Sequence, residues 1–158
     1  YCLGFIGNHH MRAQNTLWGV NHVSESAITI QSLEDEYDTS IIVRTLKRLA
    51  ANRRYLNERD KHTVLSLFQK HISTIDAESF SDFIWSLGML GFSSKDLSPI
   101  SPSTLLPGIS RVLGSGDRVA ALRTLVGLSR LEVKWSSLPP DIQSDLIVIT
   151  LNDTHVQK

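Results

Sequence analysis

Asp82-Phe83-Ile84-Trp85-Ser86-Leu87-Gly88-Met89-Leu90-Gly91 decides the fold. With Phe80 ahead of it, the stretch places Phe80, Phe83, Ile84, Leu87 and Leu90 at i, i+3, i+4, i+7 and i+10. That spacing builds one apolar stripe on an α-helix. Gly91 follows the last apolar residue, where a glycine ends a helix by taking a left-handed conformation. Thr74 or Asp76 can cap the start. The pattern predicts a helix over about 77–90 with that stripe turned inward.

Working outward, the leucine–leucine register recurs. Leu46, Ile84 and Leu122 follow one another at a constant 38-residue step, as do Leu49, Leu87 and Leu125. A second register shares the step: Phe68 with Leu106, His71 with Ile109 and Ile147, and Pro102 with Pro140. Two registers at one period point to a repeat of two helices. Helices are therefore expected at about 11–23, 25–33, 39–52, 58–73, 77–90, 103–113, 117–131 and 140–151. Asn57 is the cap for the fourth, and Asp117 opens the seventh, with Val119, Leu122, Leu125 and Leu128 inside. Leu146-Ile147-Val148-Ile149 has strand-like propensity; the repeat register makes it helical. The expected fold is all-α, a right-handed α-solenoid of antiparallel helix pairs with a 38-residue period. Residues 1–10 read as an N-terminal extension, 11–152 as one helical-repeat domain and 153–158 as a C-terminal tail.

Composition narrows the function. The chain has 158 residues, 16 basic and 16 acidic side chains, and formal net charge zero. Binding nucleic acid by bulk charge is disfavoured; a local basic face is not. The single cysteine, Cys2, excludes an internal disulfide. No apolar run reaches the roughly 18 residues of a membrane span, so no membrane insertion is expected. Gly114-Ser115-Gly116 lacks the lysine of a phosphate loop and reads as a helix stop. The histidines do not pair at metal-ligand spacing, and His71 reads as a part-buried structural residue. No catalytic site, cofactor, metal or small-molecule substrate is indicated.

One charged feature stands out. Arg44, Lys47, Arg48, Arg53, Arg54, Arg59 and Lys61 place seven cations within 18 positions, against Glu58 and Asp60. Arg44, Lys47 and Arg48 share a helix face opposite Ile42, Leu46 and Leu49. Two readings stay open for the cluster. It is a solvated helix face whose cations suit the helix C-terminus, or it is a phosphate-contacting RNA site. Trp18 and Trp85 can stack on bases, but each lies beside an apolar stripe and reads first as repeat-to-repeat packing.

Residues 82–91 and Asn15-Thr16-Leu17-Trp18-Gly19-Val20 resemble the signature helix of octotricopeptide repeats, approximately Asn-x-Leu-Trp-Ala-Leu-Ala-x-Leu-Gly in a 38-residue unit. Related repeats occur in FAST-kinase-like and RAP-domain organellar proteins. Residues 44–52 and 119–131 keep the leucine spacing without the tryptophan. The resemblance implies a non-enzymatic α-solenoid of a mitochondrion, or alternatively a plastid, acting on organellar RNA. It is expected as a component of a ribonucleoprotein, in first place the mitochondrial ribosome. Its partners would be rRNA, through the 44–61 face, and neighbouring proteins. The alternative is a protein-interaction scaffold, or an accessory subunit of an organellar membrane complex, without RNA contact. A third reading is an enzyme domain completed by a partner chain.

Overall fold

The computed structural model describes residues 30–98 and 100–151. Within them the chain forms α1 (Thr39–Ala51), α2 (Glu58–His71), α3 (Ala77–Met89), α4 (Pro102–Ser115), α5 (Arg118–Arg130) and α6 (Pro140–Leu151). Short 3-10 turns stand at Leu33–Asp35 and Trp135–Ser137. No strand occurs among the described residues, and the architecture is all-α. Residues 30–32 are the helical end of the segment expected at 25–33. The expected helix at 11–23, the extension at 1–10, the 153–158 tail and Trp18 lie outside the described residues.

The odd-numbered helices are built alike. Asp38, Asp76 and Asp117 cap α1, α3 and α5, each carboxylate accepting from a first-turn backbone N–H. That satisfies donors that have no partner inside a helix. Each helix runs 13 residues. Each then ends on a left-handed residue: Arg53 (φ 51°), Gly91 (φ 87°) and Glu132 (φ 62°). The next N–H in each case, from Arg54, Phe92 and Val133, reaches back to the carbonyls of Leu49, Leu87 and Leu128 at 3.0–3.2 Å. This is the Schellman closure, made twice without glycine. Caps and closures recur first at a 38-residue step and then at a 41-residue step.

The 41-residue step corrects the expected register. The connection between α3 and α4 spans residues 90–101, against 52–57 between α1 and α2. The link from α4 to α5 is shorter, only Gly116-Asp117. The two changes leave the second unit longer by three positions. Leu122 and Val119, expected inside, are therefore exposed. The buried face of α5 is Ala120, Ala121, Thr124, Gly127 and Leu128. In the first two units the expected stripes hold: Ile42, Leu46, Leu49, Phe80, Phe83, Ile84 and Leu87 are all buried. In α2 the interior is Val64, Leu67, Phe68 and His71, with Leu65 only partly covered.

α3 is the central helix, packed between α1 and α5, with α4 against it and α6 against α4 and α5. Phe68 ties α2 into this core, edge-on to Phe83 at 4.9 Å between ring centroids. Arg111 on α4 donates to the Ile72 carbonyl at the end of α2, at 2.7 Å. The α3–α5 crossing is the closest. A Cβ on Gly127 would stand 2.6 Å from the Ile84 carbonyl oxygen, so only glycine admits that approach. Gly108 on α4 leaves room for the Phe80 ring in the same way. The Leu146–Ile149 run is helical, as the repeat register requires, with Leu146 fully buried.

Candidate nucleic-acid interface

The seven cations of the 44–61 cluster lie on three consecutive segments of the chain. α1 carries Arg44, Lys47 and Arg48, the turn after it carries Arg53 and Arg54, and the first turn of α2 carries Arg59 and Lys61. Three of them have partners inside the molecule. Lys47 donates to Asp82 on α3 at 3.3 Å. Lys61 meets Asp96 at 3.5 Å and lies over the Phe92 ring at 5.6 Å. Arg59 reaches the Gln31 side-chain oxygen at 2.9 Å with the amide oriented to accept. Lys47 keeps 40% of its side chain exposed while its ammonium turns toward the buried carboxylate of Asp82.

Arg44, Arg48, Arg53 and Arg54 remain together at the exposed side and C-terminal end of α1. Arg54 is half-buried and the other three are exposed. Among the described residues none of these four forms an ion pair. The backbone at Arg53 is left-handed, and Arg54 and the exposed Tyr55 follow it in the turn after α1. Their charges also lie at the negative end of the α1 dipole, which steadies them there.

Asp82 is the polar centre that the sequence reading missed. Its side chain is 9% exposed. It also accepts from Arg123 Nη1 on α5 at 2.8 Å. One carboxylate thus holds a cation from each neighbouring helix, and these are charge-assisted bonds, stronger than neutral ones. Arg44, Asp82 and Arg123 occupy the same position of the repeat, by the 38- and 41-residue steps of the caps. A comparison of positions 44 and 82 at the 38-residue step was open to sequence reading. Position 123 was not, because the 41-residue step is invisible before the caps are known. Gly127 was missed for the same reason.

His71 is buried, and burial, with Lys70 beside it, holds its imidazole pKa below the usual value. Its Nε2 has no hydrogen-bond partner. The structural role expected of it fits this placement. Trp85 is half-buried and packs against the core beside the Ile84 stripe. A cleft of about 390 Å³ opens between the α3–α4 and α5–α6 connections, floored by Leu97, Ile100, Leu105 and Val133. On its polar rim Ser94 donates to Glu132 at 3.4 Å. Among the described residues no group of three histidine, cysteine or carboxylate side chains can hold a metal, and no helix is long and apolar enough to cross a membrane.

No family model matches the chain, and no curated protein and no solved structure is significantly similar to it.

Proposed function

We propose that the protein is a non-enzymatic helical-repeat component of an organellar ribonucleoprotein, in first place the mitochondrial ribosome, where it contacts RNA and neighbouring proteins. Its helix pairs would stack as a right-handed solenoid with a period of about 38 residues, lengthened to 41 in the second unit. The observation that carries the reading is the arginine group Arg44, Arg48, Arg53 and Arg54 on and just after α1, three of them exposed and one half-buried, with no ion pair among the described residues. Arginine presents a planar donor fork suited to phosphate. Lys47, Arg59 and Lys61 are held by intramolecular partners and contribute less.

The test is RNA binding by Arg48→Ala/Arg53→Ala/Arg54→Ala, measured against salt. Each lost single-strand phosphate contact makes the log-affinity against log-salt slope shallower by about 0.7. The triple variant should therefore lose about 2 in slope and weaken similarly for unrelated RNA sequences. Lys70→Ala/Lys95→Ala/Lys134→Ala removes the same charge elsewhere and should bind nearly as wild type. If the two triple variants behave alike, the group is not the RNA site. A second reading, a protein scaffold without RNA contact, is favoured by Asp82, which pairs with both Lys47 and Arg123 inside the molecule. A wild-type chain that binds no RNA at low salt would decide for it.

A further inference from the structure

The last helix pair carries apolar side chains on the side where a further pair would stack. Residues at matching repeat positions show it. Ser81 and Ile84 on α3 are fully buried beneath α5. Their counterparts on α5, at the 41-residue step, are Leu122, 36% exposed, and Leu125, half-buried. Ile109 on α4 is fully buried; its counterpart on α6, at the 38-residue step, is Ile147, 48% exposed. Val126 and Val148 extend the patch. α6 is apolar all round over Leu146–Ile149, the pattern of a helix covered on more than one side. Among the described residues it packs against α4 and α5, and Ile147 and Val148 stay exposed.

We infer that this face docks a pair of amphipathic helices from another protein, stacked on α5 and α6 as α5 and α6 stack on α3 and α4. The α3–α5 interface gives the chemistry of the partner. There Ile84 is met by Gly127, whose missing side chain permits contact with the backbone. Leu125 stands at the Ile84 position, so the first partner helix presents glycine, alanine or serine opposite it. Asp141 and Asp145, both exposed on α6 and one turn apart, border the patch in line with Val148. The second partner helix therefore carries lysine or arginine at its rim, where such charges set specificity and approach. The same two acids oppose RNA and anionic lipid. A second copy stacked head-to-tail does not fit. On α1 the position of Gly127 belongs to Arg48, whose side chain would hold the helices apart and be stranded against Leu125.

The inference is independent of RNA binding and is tested apart from it. A photocrosslinking residue is placed in the full chain at Val126 or Val148, with Gln69 on the exposed side of α2 as control. The chain is expressed in the cells that normally make it, and the crosslinked peptides are sequenced. Both positions are expected to trap the same second protein, on two consecutive helices, with a small residue at the Val126 crosslink and a basic one near that at Val148. Leu122→Lys, with the crosslinker in place, should reduce the yield about tenfold or more, because it sets a charge in the centre of the interface. It should leave the melting temperature nearly unchanged, since Leu122 is already exposed in the chain alone. Crosslinks to RNA, to a second copy or within the chain itself overturn the inference. So does a yield no higher than that at Gln69, or one that Leu122→Lys does not lower.

Discussion

Asp82 makes a prediction that depends on geometry rather than composition. Its carboxylate is 9% exposed and accepts from two cations, Arg123 at 2.8 Å and Lys47 at 3.3 Å, whose own side chains are 36% and 40% exposed. Lys47→Ala leaves Asp82 paired with Arg123, and Arg123→Ala leaves it paired with Lys47. Because both cations reach solvent, each single loss is small, about 0.5–1.5 kcal/mol. The double variant strands a carboxylate with no counter-ion between α1 and α5. Breaking a fully buried pair costs about 3–5 kcal/mol; the residual exposure of Asp82 moves the expectation to the lower end, about 3 kcal/mol. The double loss should exceed the sum of the singles by roughly 1 kcal/mol or more, as for residues sharing one partner. Urea unfolding followed by circular dichroism measures it, with unchanged m-values showing that the transition itself is the same. In the Asp82→Asn background the excess should vanish, since no stranded charge remains. A double variant within about 0.3 kcal/mol of additivity in the wild-type background, the agreement expected of independent sites, refutes the clamp.

Further expectations follow from packing and backbone. Leu87→Ala should lower stability by about 2–5 kcal/mol, because Leu87 is fully buried on the central helix; a loss under about 1 kcal/mol in urea unfolding would show it is not core. Gly127→Ala should destabilise by about 1–3 kcal/mol through its approach to Ile84. Gly114→Ala, with nothing within 4 Å of the new methyl, should stabilise by about 0.4–1 kcal/mol. Arg53→Gly relieves a left-handed backbone at φ 51° and should raise the melting temperature while weakening RNA binding; a fall in both would mean that Arg53 supports the fold through its side chain. His71 has a folded pKa below its unfolded value near 6.5, because burial disfavours the cation. Its contribution is complete above about pH 6.5 and is lost as pH falls from there through the folded value. His71→Leu should flatten that part of the stability–pH curve.

Helix boundaries were legible because each is set by local chemistry. Asn57, Asp76, Asp117 and Gly91 act within a few residues of themselves and do what their types suggest. α6 was legible only through the repeat, since its own propensity runs toward strand. The register of α5 was not legible. The 38-residue leucine spacing placed Leu122 in the core, and the three positions added before Asp117 moved it to the surface. Ala121 and Gly127 fill the α3 side instead, and small residues give no apolar signal in a sequence. The cation cluster was legible as composition but not as a surface. Its splitting depends on acids distant in sequence, Asp82 for Lys47 and Asp96 for Lys61, which no local pattern pairs with them.

The position shared by Arg44, Asp82 and Arg123 gives zero net charge a structural meaning. A cation, an anion and a cation stand at matching places on α1, α3 and α5. The central anion faces both neighbours, so it binds Arg123 directly and takes Lys47 from α1 rather than Arg44. Arg44 is thereby left exposed beside Arg48, one turn along the same helix. Opposite charges used inside the stack to join α1, α3 and α5 cannot also serve as a basic surface. Arg44, Arg48 and Arg53 remain exposed on and just after α1, and Leu122, Val126, Ile147 and Val148 remain exposed on α5 and α6. On the proposed reading, phosphate contacts would lie at the α1 end of the helix stack and protein packing at the α5–α6 end. The Arg48/Arg53/Arg54 variant should therefore leave crosslinking at Val126 intact, and Leu122→Lys should leave the salt slope of RNA binding intact. Loss of both properties in either variant would show that the two ends are not independent surfaces.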